Sequence, residues 1–158
     1  MVLKDSFVVE APLEVVWALL QDVNRLSGCV AGVEQVEEVG PDSYSGVLKI
    51  KIGPISAAFA GQVTITARTP PEQIIAEISG KDNGSASLVK STFTGRLSPV
   101  ETGTRLDYEM DIALRGRLAQ FGLTVVQATA KKMTADFARC LAATLTADEA
   151  EANNGARS

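Results

Sequence analysis

The feature that most restricts this chain lies near its C-terminal end. From residue 117 to residue 147 no proline interrupts, and Leu118, Phe121, Val125, Val126, Thr129, Met133, Phe137, Cys140, Leu141 and Leu145 recur mostly at intervals of three and four. That spacing marks one face of an α-helix. At about 1.5 Å per residue, about 28 residues reach roughly 40 Å, enough to cross a whole small sheet. A helix with one long apolar stripe has to lay it against something, and the preceding residues must supply the partner.

What precedes it alternates. Between residues 34 and 115 the hydrophobic period is two. Tyr44, Leu48, Ile50 and Ile52 oppose Lys49 and Lys51; Phe59, Val63 and Ile65 oppose Gln62, Thr64 and Thr66. Leu106, Tyr108, Met110, Ile112 and Leu114 oppose Arg105, Asp107, Glu109, Asp111 and Arg115. Gly40-Pro41-Asp42-Ser43, Gly53-Pro54, Pro70-Pro71 and "KDNG" punctuate these runs, and such short turns imply antiparallel hairpins. "LKDSFVV" at residues 3–9 reads as a further strand. "APLEVVWALLQD" reads as a helix with Pro12 in its first turn, where a missing N–H costs nothing. Residues 26–33 continue as a short helix or turn, with Gly28 and Gly32 allowing tight geometry. The order is one strand, two short helices, about six antiparallel strands and a long helix. It predicts an α+β fold in which a curved antiparallel sheet wraps around the long C-terminal α-helix. Residues 1–147 form one domain, and the polar, aperiodic residues 148–158 are expected to be a disordered tail.

The chemistry is sparse. The chain contains no histidine, which removes the commonest general base and the commonest zinc ligand. The net charge is −4 and the Lys131-Lys132 pair is the longest basic run, which argues against nucleic acid as a partner. The N-terminus lacks the apolar run of a signal peptide, and no run of 18 apolar residues is present. Cys29 and Cys140 form no CxxC or metal spacing, and two such thiols fit a reduced compartment. Cys29 has no histidine to activate it; beside Val30 and Val33 it reads first as a small buried hydrophobe, with a pocket wall or a chemical role as the alternatives, and Cys140 reads as core. Asp107, Glu109 and Asp111 belong to a solvated face, and "SGKDNGS" is a hairpin turn lacking the ending of a phosphate loop. Tyr108 is either a satisfied core tyrosine or a hydroxyl aimed at a ligand.

What remains inward is apolar. Small residues there (Ala57 or Ala58, Gly61, Gly95, Ala128) predict room between sheet and helix, hence a container for an apolar molecule. The expected lining is Cys29, Val30 and Val33 beside the short helices, with Ile50, Phe59, Gly61 and Val63 from the first long hairpin. Val89, Phe93, Tyr108, Met110 and Ile112 follow from the last strands, and Phe121, Val125, Ala128, Thr129 and Met133 from the helix. The segment "LRGRLAQFGL" places Leu118, Phe121 and Leu123 beside Arg115 and Arg117, between Gly116 and Gly122. It reads either as a gate that touches a membrane or partner, or as a cap on the core formed by Phe121.

The chain also resembles a known family. Ala11-Pro12, Glu14, Val16-Trp17, Leu19 and Asp22 match an opening shared by the START-like, or Bet v 1-like, helix-grip superfamily. "CVAG" (Cys29, Gly32), Gly53-Pro54, Phe59-Ala60-Gly61, Thr104 to Tyr108, and "RGRLAQFG" (Arg115 to Gly122) are more specific. Together, from about Leu3 to Leu145, they resemble the G-subunit family of carbon monoxide dehydrogenase. The chain departs from that pattern at Ala31, where proline is common, and in ending on a polar tail where many members continue into a membrane-binding extension. The resemblance implies a cytoplasmic protein peripheral to the inner face of the cell membrane. It implies no covalent cofactor, and a non-covalent isoprenoid quinone, menaquinone by preference, as cargo. The implied partner is a molybdenum hydroxylase-type oxidoreductase, which the carrier would link to the membrane quinone pool. The rival expectations are a small cyclase or hydrolase on the same fold, and a membrane-recruitment module without cargo.

Overall fold

The computed structural model describes residues 1–157, and side chains as far as residue 151. Strand β1 (Val2–Val9) is followed by helices α1 (Leu13–Leu20) and α2 (Val23–Ser27). Strands β2 (Val33–Gly40), β3 (Ser43–Ile52), β4 (Ile55–Thr69), β5 (Gln73–Asp82), β6 (Ser87–Val100) and β7 (Gly103–Arg115) come next. A 3₁₀ turn (Arg117–Phe121) leads into α3 (Gly122–Arg157). The strands form one seven-stranded sheet, ordered β1-β7-β6-β5-β4-β3-β2, with every neighbouring pair antiparallel. Strands β2 to β7 are a meander of hairpins. The chain leaves β1 at one edge and α1 and α2 carry it to β2 at the other, so both short helices lie across one end of the sheet.

The registers confirm the period-two reading. Leu3, Phe7 and Val9 of β1 share a face with Leu106, Tyr108, Met110 and Ile112 of β7 and with Leu97, Phe93 and Val89 of β6. That face turns toward α3 and also carries Asp5, while the other charged residues between them turn to the opposite face. Two clusters anchor the helix to it. In the first, Val16 and Leu19 of α1 pack with Leu141 and Leu145 of α3 against Val9, Leu97 and Leu106. In the second, Leu118 of the 3₁₀ turn packs with Ile52, Ala57 and Phe59, and Phe121 and Val125 lie against them.

Three expectations change. The helix predicted from residue 117 starts at Gly122, because Gly116 (φ +95°) and Gly122 (φ +78°) both leave helical geometry. A side chain at Gly116 would overlap the Ala86 carbonyl, so the chain passes tightly over the β5–β6 turn there. At its far end α3 continues to Arg157, so the polar residues from 148 extend the helix; Arg25 of α2 grips Asp148 through two hydrogen bonds of 2.7 and 2.8 Å.

The third change concerns the cysteines. Cys29 and Cys140 are not separate thiols but a disulfide, with Cα atoms 5.3 Å apart. The turn that ends α2, where the Cys29 N–H donates to the Leu26 carbonyl, brings Cys29 against α3 beside Thr144. Burial of Cys29 was legible, whereas Cys140, read as core, is only half-buried. Their meeting across 111 residues depends on how α2 docks on α3, which no local pattern encodes.

Candidate functional site

The two clusters share no residue, and the middle of the inner face lies between them. There Val63, Ile65, Ile78, Phe93, Met110 and Ile112 point inward by register yet are only half-buried. On α3, Thr129 and Met133 fall on the stripe between Val125 of the second cluster and Phe137 of the first, and both are half-buried. Apolar side chains facing a helix would be fully buried if helix and sheet met. Their partial exposure marks a stretch where α3 bridges the sheet without closing on it.

Polar groups in this stretch are few. Tyr108 stacks on Phe93, with ring centroids 5.9 Å apart, and its hydroxyl meets the Thr134 hydroxyl at 2.5 Å. Thr134 donates to the Ala130 carbonyl at 2.9 Å, so Tyr108 is the donor of the pair and keeps acceptor capacity. Burial raises the phenol above its ordinary value, the Thr134 bond opposes this, and the nearby Asp5 carboxylate adds to it. The phenol is therefore neutral at physiological pH. Asp5 pairs directly with Tyr108 across β1 and β7 and accepts from the Ser6 N–H at 2.8 Å. Ser91 lies on β6 between Ile78 and Ile112 of its neighbours, is 6% exposed, and has no hydrogen-bond partner for its hydroxyl among the described residues. Sequence reading missed Ser91, Asp5 and Thr134 as site residues. The signal for Ser91 was its phase, two residues from both Val89 and Phe93.

The expected lining divides. Val63, Phe93, Met110 and Ile112 lie on the central stretch of the sheet and Thr129 and Met133 on the matching stretch of α3, while Tyr108 stands at its border, packed against the first cluster. Phe59 belongs to the second cluster, with Ile50, Val89, Phe121 and Val125 packed against it. Val33 pairs with Leu48 near the β2 edge, and Val30 is half-buried in the turn before it. Cys29 is held in the disulfide. Ala128 is exposed, so it lines nothing between helix and sheet.

The inference from small residues also fails at both glycines. A Cβ on Gly61 would stand 2.5 Å from the Ser79 carbonyl oxygen, so the adjacent strand uses that space. The space over Gly95 is taken by the Phe93 ring, 3.0 Å from where a Cβ would be. The expected gate changes as well. Leu118 is 0% exposed and is core, not a surface contact. Its N–H donates to the Ser87 hydroxyl at 3.1 Å; that hydroxyl lies 2.9 Å from the Ser85 hydroxyl, whose one proton is donated to the buried carboxylate of Asp82. Phe121 lies over Gly53 of the β3–β4 turn, where an added Cβ would stand 3.4 Å from its ring, and it caps the second cluster. Leu123 is 44% exposed, and Arg115 and Arg117 are exposed as well.

A depression of about 860 Å³ lies elsewhere, on the outer face of the sheet. Its walls include Lys81, Lys90, Arg115 and the half-exposed Leu88, over a floor of Ala60, Gly61 and Gly80. It is open and partly cationic, and strands β4 to β6 separate it from the apolar interior. Among the described residues no carboxylate forms a salt bridge with Lys51, Lys81, Lys90, Arg115 or Arg117, and Glu37 is the one carboxylate in the lining of the depression. Also among the described residues, no His/Cys/Asp/Glu group could hold a metal, and no helix is long and apolar enough to cross a membrane.

A curved antiparallel sheet closed by one long C-terminal helix, with two short helices after the first strand, is the helix-grip class. The chain belongs to the CoxG family, the G-subunit family of carbon monoxide dehydrogenase, whose model matches residues 6–146. Solved structures share the fold. A conserved protein from Geobacillus kaustophilus is 23% identical with a TM-score of 0.85, over 92% of this chain and 95% of that one. A protein from Rhizobium leguminosarum is 13% identical with a TM-score of 0.67, over 89% and 93%. The Zhui aromatase/cyclase from a Streptomyces species is 14% identical with a TM-score of 0.66, over 91% and 92%. No curated protein matches the sequence.

Proposed function

We propose that this protein is a non-enzymatic carrier that holds an isoprenoid quinone, menaquinone by preference, between sheet and α3. In this reading it links a molybdenum hydroxylase-type oxidoreductase to the membrane quinone pool. The observation that carries the reading is the half-buried apolar stretch between the two packed clusters. A cargo filling it would remove those side chains from water, at about 25 cal/mol per Å² of apolar surface. Each isoprene unit buried is worth roughly 3–4 kcal/mol at ~0.8 kcal/mol per carbon, so a quinone tail crosses water only inside a carrier. The family name supports an oxidoreductase as the partner.

Delivery needs a membrane contact, and the cationic end supports one. Leu88 and Leu123 stand exposed among Lys81, Lys90, Arg115 and Arg117, the composition that meets anionic headgroups. We place the protein at the inner face of the cell membrane, where Cys29 and Cys140 would stand in equilibrium with the cellular thiol pool. The test is solvent extraction of the purified protein followed by mass spectrometry. A stoichiometric quinone is expected. An empty protein that also takes up no menaquinone from vesicles would overturn the carrier reading and leave the recruitment and cyclase readings.

A second reading, a cyclase-type enzyme, draws on the inward polar string of Asp5, Tyr108 and Thr134. It predicts that Tyr108→Phe abolishes a turnover. The carrier reading predicts that Tyr108→Phe still loads quinone.

A further inference from the structure

Ser91 is the polar group that the fold leaves without an internal role. The other buried polar residues among those described are all engaged. Asp82, Ser85 and Ser87 bond one another and the turn they stabilise, and Thr104 donates to the Ala11 carbonyl at 2.8 Å. Ser91 alone, among the described residues, has a buried side-chain oxygen without a partner. Its position explains why. It lies inward on β6, flanked along the strand by Val89 and Phe93 and across it by Ile78 and Ile112. None of these offers a side-chain donor or acceptor. An unpaired buried hydroxyl destabilises a fold, and alanine would fit the same place without that cost. The hydroxyl also lies in the central stretch where the surrounding apolar side chains are not packed to completion.

We infer that the Ser91 hydroxyl is the hydrogen-bonding point for an oxygen atom of the cargo, so that the ligand places a polar group in mid-sheet and is not a plain hydrocarbon chain. This rests on the carrier reading and narrows it to apolar molecules with a carbonyl or hydroxyl at the buried end. A serine hydroxyl offers one donor and two acceptor sites. It donates to a quinone carbonyl and accepts from the hydroxyl of the corresponding quinol, so one residue serves both redox forms of a shuttled cargo. A backbone N–H or a lysine, donors only, would favour the oxidised form.

The test compares two ligands with one carbon skeleton: 2-methyl-3-geranyl-1,4-naphthoquinone and 2-methyl-3-geranylnaphthalene, which lacks both oxygens. Binding to the intact protein is measured by equilibrium partition, and melting is measured without ligand. The wild type should prefer the quinone by about fivefold to tenfold, the worth of one hydrogen bond. Ser91→Ala should abolish that preference, bind the naphthalene at least as tightly, and melt no lower than the wild type. Ser91→Thr, which keeps the hydroxyl, should retain the preference. If Ser91→Ala keeps the full preference, another group reads the oxygen and the inference is wrong. If the wild type binds both ligands equally, the cargo needs no polar contact and the inference is wrong while the carrier reading stands. If neither ligand binds the wild type, the carrier reading fails and takes the inference with it.

Discussion

Cys29 and Cys140 join α2's closing turn to the middle of α3 across 111 residues of sequence, so these elements cannot separate while the bond is intact. A cross-link over so long a loop acts mainly on the unfolded chain. The chain-entropy estimate approaches ~5 kcal/mol, and measured values centre on about 2–4 kcal/mol. Reduction, or Cys29→Ser with Cys140→Ser, should therefore lower the urea midpoint and the Tm while the far-UV spectrum survives, because the first cluster still holds α3. Identical melting with and without reductant would show that the bond does not form in solution. Alkylation trapping in cells would report which state the cell maintains.

Asp82 makes acid stability a second test. Its carboxylate accepts from the Ser85 hydroxyl at 2.5 Å, the Ser85 N–H at 3.0 Å and the Ala58 N–H at 3.2 Å. The Ser85 hydroxyl bond is the main cause of a pKa held below the ordinary carboxylate value of 3.8, against the opposing effect of burial. A group whose pKa is lowered by folding stabilises the native state above its unfolded pKa. That contribution is lost as pH falls through the folded value. The wild type should lose stability below about pH 4, and Asp82→Asn should be less stable at neutral pH but show a flatter acid limb. Parallel acid limbs for the two proteins would remove Asp82 from this role.

Much of this molecule was legible in the sequence because its strands are simple. Where one face is buried and the other wet, as along Leu106 to Leu114, alternation reports the register directly. The stripe from Val125 to Leu145 reported the helix in the same way. The interior was harder. Gly61 and Gly95 looked like room for a ligand, but a missing side chain says nothing about what fills its place, and a carbonyl and a ring do. Leu118 looked like a surface contact because it opens a helix. In the structure the 3₁₀ turn rotates it into the core. Ser91 was overlooked because a serine between apolar residues reads as neutral, and its lack of a partner is a three-dimensional fact.

The two leucines of the 3₁₀ region separate core from surface. Leu118 is 0% exposed and Leu123 is 44% exposed. Leu118→Ala should cost about 2–5 kcal/mol by opening the second cluster. Leu123→Asp combined with Leu88→Asp should leave melting nearly unchanged and slow menaquinone transfer from anionic vesicles, with no effect on transfer from neutral ones. Unchanged transfer from anionic vesicles by a folded double variant would take the membrane contact away from this end of the molecule.

The central stretch can be tested by filling it. Met133 lies on the α3 stripe between the clusters, and Ile112 points inward on β7, paired with Ser91; both are half-buried. In a finished core, adding a ring at either place would cost about 1–3 kcal/mol in forced rotamers and backbone shifts. In a stretch that helix and sheet leave open, the ring takes space the cargo would occupy. Met133→Phe and Ile112→Phe should therefore leave the ligand-free Tm unchanged or raised, and weaken menaquinone binding at least about tenfold. Two controls calibrate the result. Ala128→Phe changes an exposed position and should alter neither property. Gly61→Leu should destabilise the protein whatever it carries, because its Cβ would press on the Ser79 carbonyl at 2.5 Å. If Met133→Phe and Ile112→Phe instead lower the Tm as Gly61→Leu does, and binding persists, the interior is packed core and the cargo lies elsewhere. The cationic depression on the outer face would then be the next place to look.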